Sequence, residues 1–121
     1  MNTAAVNVGI FIIALLHVWF FVLEMFLWQK PIGLKIFKLN SDTARLTAPL
    51  AANQGLYNLF LSVGLLWSMV AAPALAWQLK IFFLGCVIIA GIYAGVKVDR
   101  RIFFIQGAPG MLVLAMLLVA M

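Results

Sequence analysis

The chain has 121 residues, of which 67% are hydrophobic and only 9% charged. A soluble domain of this size carries roughly a quarter charged residues, so that class is excluded, and the length suits one domain. The net charge of +5 would suggest nucleic acid in a soluble protein. Here the basic residues sit between long apolar runs, so membrane orientation accounts for them and no nucleic-acid partner is expected.

Four apolar runs, at about 4–28, 50–75, 79–96 and 102–121, take up most of the chain. A run of about 18 or more such residues is long enough to cross the ~30 Å hydrocarbon core as a helix. The expected fold is all-α, an integral membrane four-helix up-and-down bundle whose partner is the lipid bilayer. It forms a single transmembrane domain over 1–121, with helices at about 5–28, 50–72, 79–96 and 102–121.

The first run does not read as a signal peptide. Met1 to Val6 contains no Lys or Arg, the run is too long for a signal core, and no small-residue cleavage site follows it. Within it His17, Phe21, Glu24 and Trp28 recur at helical spacing and should share one stripe. A carboxylate inside the membrane costs several kcal/mol unless it is paired, neutralised or wetted. Glu24 therefore needs a reason to be there. His17 lies deeper, either a satisfied interior histidine or a functional partner of Glu24.

A basic connector follows. Its stretch Pro31 to Lys38 mixes apolar and cationic residues, as either a short interfacial amphipathic segment or a loop with snorkelling lysines. Ser41 and Asp42 are candidate caps for a helix that enters the membrane near Pro49. That helix opens with Asn53, Gln54, Tyr57 and Asn58, which cover a face of about 140°. It ends near Ala72-Pro73, and the short turn to Gln78 forces the next helix to run antiparallel.

The third helix carries Tyr93 near its end. Gly91 and Gly95 give it a small-residue stripe, suited either to packing within the bundle or to a homo-oligomer seam. Cys86 is the single cysteine, a packing residue with no disulfide partner. In the fourth helix Gln106 precedes Pro109, and a proline there predicts a kink or break near Ile105.

Of the eight Lys and Arg residues, Lys30, Lys35, Lys38, Arg45, Lys97, Arg100 and Arg101 fall in the first and third connectors, and only Lys80 lies on the other side. The basic loops 29–48 and 97–101 should then be cytoplasmic and both termini outside. An up-and-down bundle would place Glu24, Asn53, Gln54, Tyr57, Asn58, Tyr93 and Gln106 at similar depth in its cytoplasmic half, with Glu24, Asn53, Tyr57 and Gln106 facing the bundle axis because lipid offers no hydrogen-bond partners. Two readings stand: polar glue between helices, or a binding cavity open to the cytoplasm.

No catalytic signature is complete, and one His with one membrane Glu is too few ligands for a metal site. No cofactor is expected. Glu24 and His17 remain the candidates for proton-relay or acid–base chemistry.

The motifs Leu16-His17, Leu23-Glu24-Met25-Phe26-Leu27-Trp28, Asn53-Gln54-Gly55-Leu56-Tyr57-Asn58, Gly85 through Tyr93 and Gln106-Gly107-Ala108-Pro109 resemble a family. It is a bacterial group of small integral membrane proteins catalogued as domain of unknown function 1304. The resemblance covers essentially the whole chain. It implies a four-helix protein of the bacterial inner membrane and supplies no biochemical role. Small multidrug-resistance transporters are similar in length and in their helix-one Glu, but their surrounding motifs do not occur here. The leading expectation is a protein that binds or moves a small lipophilic or cationic molecule at Glu24. The alternatives are a membrane enzyme using Glu24 and His17, and an accessory subunit of a larger membrane complex.

Overall fold

A computed structural model describes residues 3–120, and it is all-α, with no strand among them. Helix α1 spans Thr3–Met25, α2 Pro31–Phe37, α3 Ser41–Val70 and α4 Pro73–Lys97. A single turn α5 at Arg100–Ile102 leads through a π-helical turn, Phe103–Gly107, into α6 at Ala108–Val119.

Three stretches, Thr3–Met25, Pro73–Lys97 and Arg100–Val119, are long and apolar enough to cross a membrane. Their outward faces are as apolar as their inward ones. On α1 the exposed side is Val8, Phe11, Ile12, Leu15 and Trp19, and on α4 it includes Phe82, Ile89 and Val96. Contiguous apolar surface of this kind is not tolerated in water and marks a lipid-facing wall. Three such helices suggest a membrane protein. Helix α3, at 30 residues, is longer than any of these, but Asn53, Gln54 and Asn58 in its middle turns make it less apolar.

Element ends follow local chemistry and differ from the sequence reading at the end of α1 and at the cap of α3. Helix α1 stops at Met25 rather than Trp28, where the Leu27 N–H bonds five residues back to the Val22 carbonyl at 3.1 Å, and Pro31 then holds Lys30 extended (φ −84°, ψ 161°) ahead of α2. The chain then folds back sharply. A Cβ at Gly33 would strike the carbonyl oxygens of Leu27 and Trp28, so only glycine lets α2 sit this close to the turn. Residues 31–37 are a short helix and not a loop. Helix α3 begins at Ser41, where the capping candidates put it and ahead of the membrane entry expected near Pro49, but its cap is neither Ser41 nor Asp42. Asn40 Oδ1 accepts the Thr43 N–H at 2.8 Å, as an N-cap side chain does.

The predicted disturbance ahead of Pro109 takes the form of the π-helical turn. Proline removes the N–H that would bond back to Ile105, and the ladder widens so that Ala108 N–H bonds to the Phe103 carbonyl, five residues back.

The chain groups into two compact units, to both of which α1 and α3 contribute. The first holds residues 1–14 and 63–121. Its core includes Ile10, Leu65, Leu84, Val87 and Val113, all buried. Close approach is built from glycine. A Cβ on Gly91 would lie 2.6 Å from Gly107 N, and one on Gly95 would lie 2.6 Å from Phe103 Cβ. The Gly91/Gly95 stripe is thus occupied by the π-helical turn of the same chain, which removes it as a seam between copies.

The second unit holds residues 15–62. Here Leu23, Ala44 and Ala51 are buried with His17, Glu24 and Ser62. The face of α3 turned inward carries Ala44, Ala51, Gly55 and Ser62, all buried, at spacings that keep them on one side of the helix.

Candidate functional site

The site is built in the second unit, where α1 and α3 pack on small residues. Gly55 makes the approach possible: a Cβ there would stand 3.3 Å from Glu24 Cβ and 3.3 Å from the Phe21 carbonyl oxygen. One turn further along the same face, Asn58 Nδ2 donates a hydrogen bond to Glu24 Oε1. Glu24 is 5% exposed. Among the described residues no Lys or Arg forms an ion pair with it.

Beside this pair lies a cavity of about 320 Å³, lined by Glu24, Met25, Phe26, Trp28, Gln29, Lys30 and Ala48. Of its lining residues Glu24 is buried, and Gln29 and Lys30 are exposed. One aromatic wall is fixed in place. Trp28 Nε1 donates to Thr47 Oγ1 at 3.0 Å, and Thr47 Oγ1 in turn donates to the Thr43 carbonyl at 2.7 Å. The Phe37 ring closes on Trp28 with a centroid separation of 4.6 Å. This holds the indole in one orientation beside the cavity mouth. The cavity thus brings together a buried carboxyl, an aromatic wall and the exposed Lys30.

The structure joins some of the sequence-predicted residues and separates others. Glu24 and Asn58 meet. His17 is fully buried on the same side of α1 as Glu24 and meets the Phe20 ring edge-on at 5.4 Å. Seven residues of helix separate it from Glu24, about 10 Å of rise. Asn53 and Gln54 are exposed, and Tyr57 is 60% exposed, so the expectation that Asn53 and Tyr57 turn inward fails. At 100° per residue they fall opposite the Ala51–Gly55–Ser62 face. That small-residue face was visible in the sequence and would have given the orientation.

Tyr93 and Gln106 belong to the first unit. Tyr93 is 66% exposed. Gln106 is buried and donates from Nε2 to the Val87 carbonyl at 3.0 Å. That bond fastens the π-helical turn to α4, the work of interhelical glue. Thr47 and Gln29 were missed. Neither carries a motif, and Thr47 meets Trp28 only through the tertiary fold, nineteen residues on in the sequence.

A family model described as Protein of unknown function (DUF1304) matches residues 11–118. The chain belongs to this family. No curated protein and no solved structure matches the sequence. The DUF1304 match contains every residue of the Glu24 cavity and both halves of the Glu24–Asn58 bond. Among the described residues no group of three or more His, Cys, Asp or Glu is placed to hold a metal ion.

Proposed function

We propose that this DUF1304 protein is a four-helix up-and-down bundle of the bacterial inner membrane, one domain over 1–121. It binds or moves a small lipophilic cation through the cavity beside Glu24. The observation that carries this reading is a buried carboxyl bonded to an amide rather than to a cation, on the wall of an open cavity. An acid placed there for packing alone would leave no such space. Glu24 supplies the negative charge, Asn58 positions one of its oxygens, and Trp28 offers a cation–π face. The seven-to-one distribution of Lys and Arg puts loops 29–48 and 97–101 in the cytoplasm, and the cavity opens on that side. A second reading rests on the exposed Asn53, Gln54, Tyr57 and Tyr93. Polar side chains facing out of the monomer suit an accessory subunit docked on another membrane protein.

The test uses tetraphenylphosphonium as the probe. Calorimetry on the purified protein should give saturable binding, weakened at least tenfold by Glu24→Gln with the helix content unchanged. Proteoliposomes loaded with a pH dye separate binding from movement. A Glu24-dependent flux supports transport, and binding without flux removes it. Equal binding by wild type and Glu24→Gln would overturn the site.

A further inference from the structure

A second cavity, of about 380 Å³, opens in the first unit at the turn between α3 and α4. Lys80 lines it, seventeen residues before Lys97 and so ~25 Å of helix rise from the basic end of α4. Lys80 is the only cation on its side of the sequence, and among the described residues it makes no ion pair. The first turn of α4 borders the same space through Pro73 and Ala76 and brings the positive end of the helix dipole to it, the Ala76 N–H itself being bonded to the Ala72 carbonyl at 2.8 Å. Asn7 lines the same cavity, and its Oδ1 is buried with no hydrogen-bond partner among the described residues. A buried carbonyl in that state calls for a donor. The remaining wall is mainly apolar, with Val6, Met69 and Leu117 along it and the half-exposed Trp77 at the rim.

The cavity therefore offers a cation, an acceptor and an apolar channel within one molecule's reach. We propose that it binds one anionic phospholipid whose headgroup carries a free hydroxyl, the phosphatidylglycerol class. The phosphate lies at Lys80 and the first turn of α4, the headgroup hydroxyl donates to Asn7 Oδ1, and the acyl carbons run along Val6, Met69 and Leu117. A free phosphate ester would satisfy the two polar groups but leave the apolar wall uncovered. The bilayer interface, where the helix-end Trp77 belongs, supplies the lipid instead.

Native mass spectrometry of the detergent-solubilised protein decides it. The protein is offered equal amounts of phosphatidylglycerol, phosphatidylcholine and phosphatidylethanol with matched chains, the last being anionic without a hydroxyl. Wild type should retain one phosphatidylglycerol at about tenfold preference over either competitor. Lys80→Gln should lose the preference over phosphatidylcholine, and Lys80→Arg should keep it. Asn7→Leu should bind phosphatidylglycerol and phosphatidylethanol equally while still rejecting phosphatidylcholine. Lys97→Gln, at the other end of α4, should behave as wild type. No preference in wild type, or a preference unchanged in Lys80→Gln, would overturn the site. Displacement of the lipid by millimolar glycerol 3-phosphate would overturn its assignment to a membrane lipid.

Discussion

Replacing Gly91 by alanine tests whether the close approach of α4 to the π-helical turn holds the first unit together. The added Cβ would sit 2.6 Å from Gly107 N, 2.8 Å from Gly107 Cα and 3.3 Å from Gln106 Cγ. Non-bonded carbons are comfortable at about 3.5–4.0 Å. Two of these neighbours are backbone atoms that cannot rotate away, so the two segments must part by about 1 Å. That movement would stretch the Gln106 Nε2 to Val87 carbonyl bond from 3.0 Å beyond useful range. Overpacking costs about 1–3 kcal/mol, and the lost interhelical bond costs about 1 kcal/mol more. Alanine's better helix propensity returns about 1 kcal/mol, leaving a net loss of about 1–3 kcal/mol. Gly85, on the same helix, is the matched control. A Cβ there meets nothing within 4 Å, so Gly85→Ala should be neutral or gain up to about 1 kcal/mol. Reversible unfolding in mixed micelles with increasing SDS, followed by circular dichroism, gives both numbers. A Gly91→Ala protein as stable as Gly85→Ala would refute the packing.

Asn58→Leu should leave the fold nearly as stable as wild type, since a membrane hydrogen bond contributes about 1 kcal/mol. It should weaken tetraphenylphosphonium binding about tenfold because Glu24 loses the donor that positions it, and unchanged calorimetric affinity would refute that role. Trp28→Phe and Thr47→Val should each cost about 1 kcal/mol of stability. Their double mutant should cost little more than either alone, since contacting partners couple, and strict additivity in the same unfolding assay would refute the Trp28–Thr47 bond. Single cysteines in a Cys86→Ala background should place Lys35→Cys beyond the reach of an impermeant maleimide added to intact cells, and labelling from outside would invert the topology.

Membrane residence and the all-α class were legible in the sequence because lipid imposes a long apolar period that no other class carries. The pairing of Glu24 with Asn58 was also within reach, since the up-and-down topology puts both residues at similar depth. Orientation was legible only in the small residues, not in the polar ones. The polar residues of α3 were assigned a shared inward face, whereas helix packing is decided by the small ones. Ala51, Gly55 and Ser62 admit the neighbouring backbone, and the bulkier Asn53 and Tyr57 are left outside. Trp28 was placed on α1 by spacing alone. Its real position depends on Pro31 and on the missing Cβ of Gly33, two backbone effects that hydropathy does not register.

The three acidic residues of the chain make a final comparison that favours function at Glu24. Asp42 is exposed and lies 3.7 Å from Arg45, three residues on in the same helix. Asp99 caps α5 through the Arg101 N–H at 2.9 Å and pairs with the same guanidinium at 2.6 Å. Both sit at helix N-termini, where a carboxylate complements the dipole and satisfies free N–H groups. Glu24 is at the opposite end of its helix, next to the last residue of α1, where the dipole disfavours an anion. Its described partner is the amide of Asn58 rather than an arginine, and it is buried where Asp42 is exposed. Each local rule that explains the other two carboxylates argues against a carboxylate at Glu24. Glutamine at this position would keep the hydrogen bond and remove the charge, so a purely structural demand would be better met by glutamine. What glutamine cannot supply is a negative charge facing the cavity, and that is the property a cation-binding site needs.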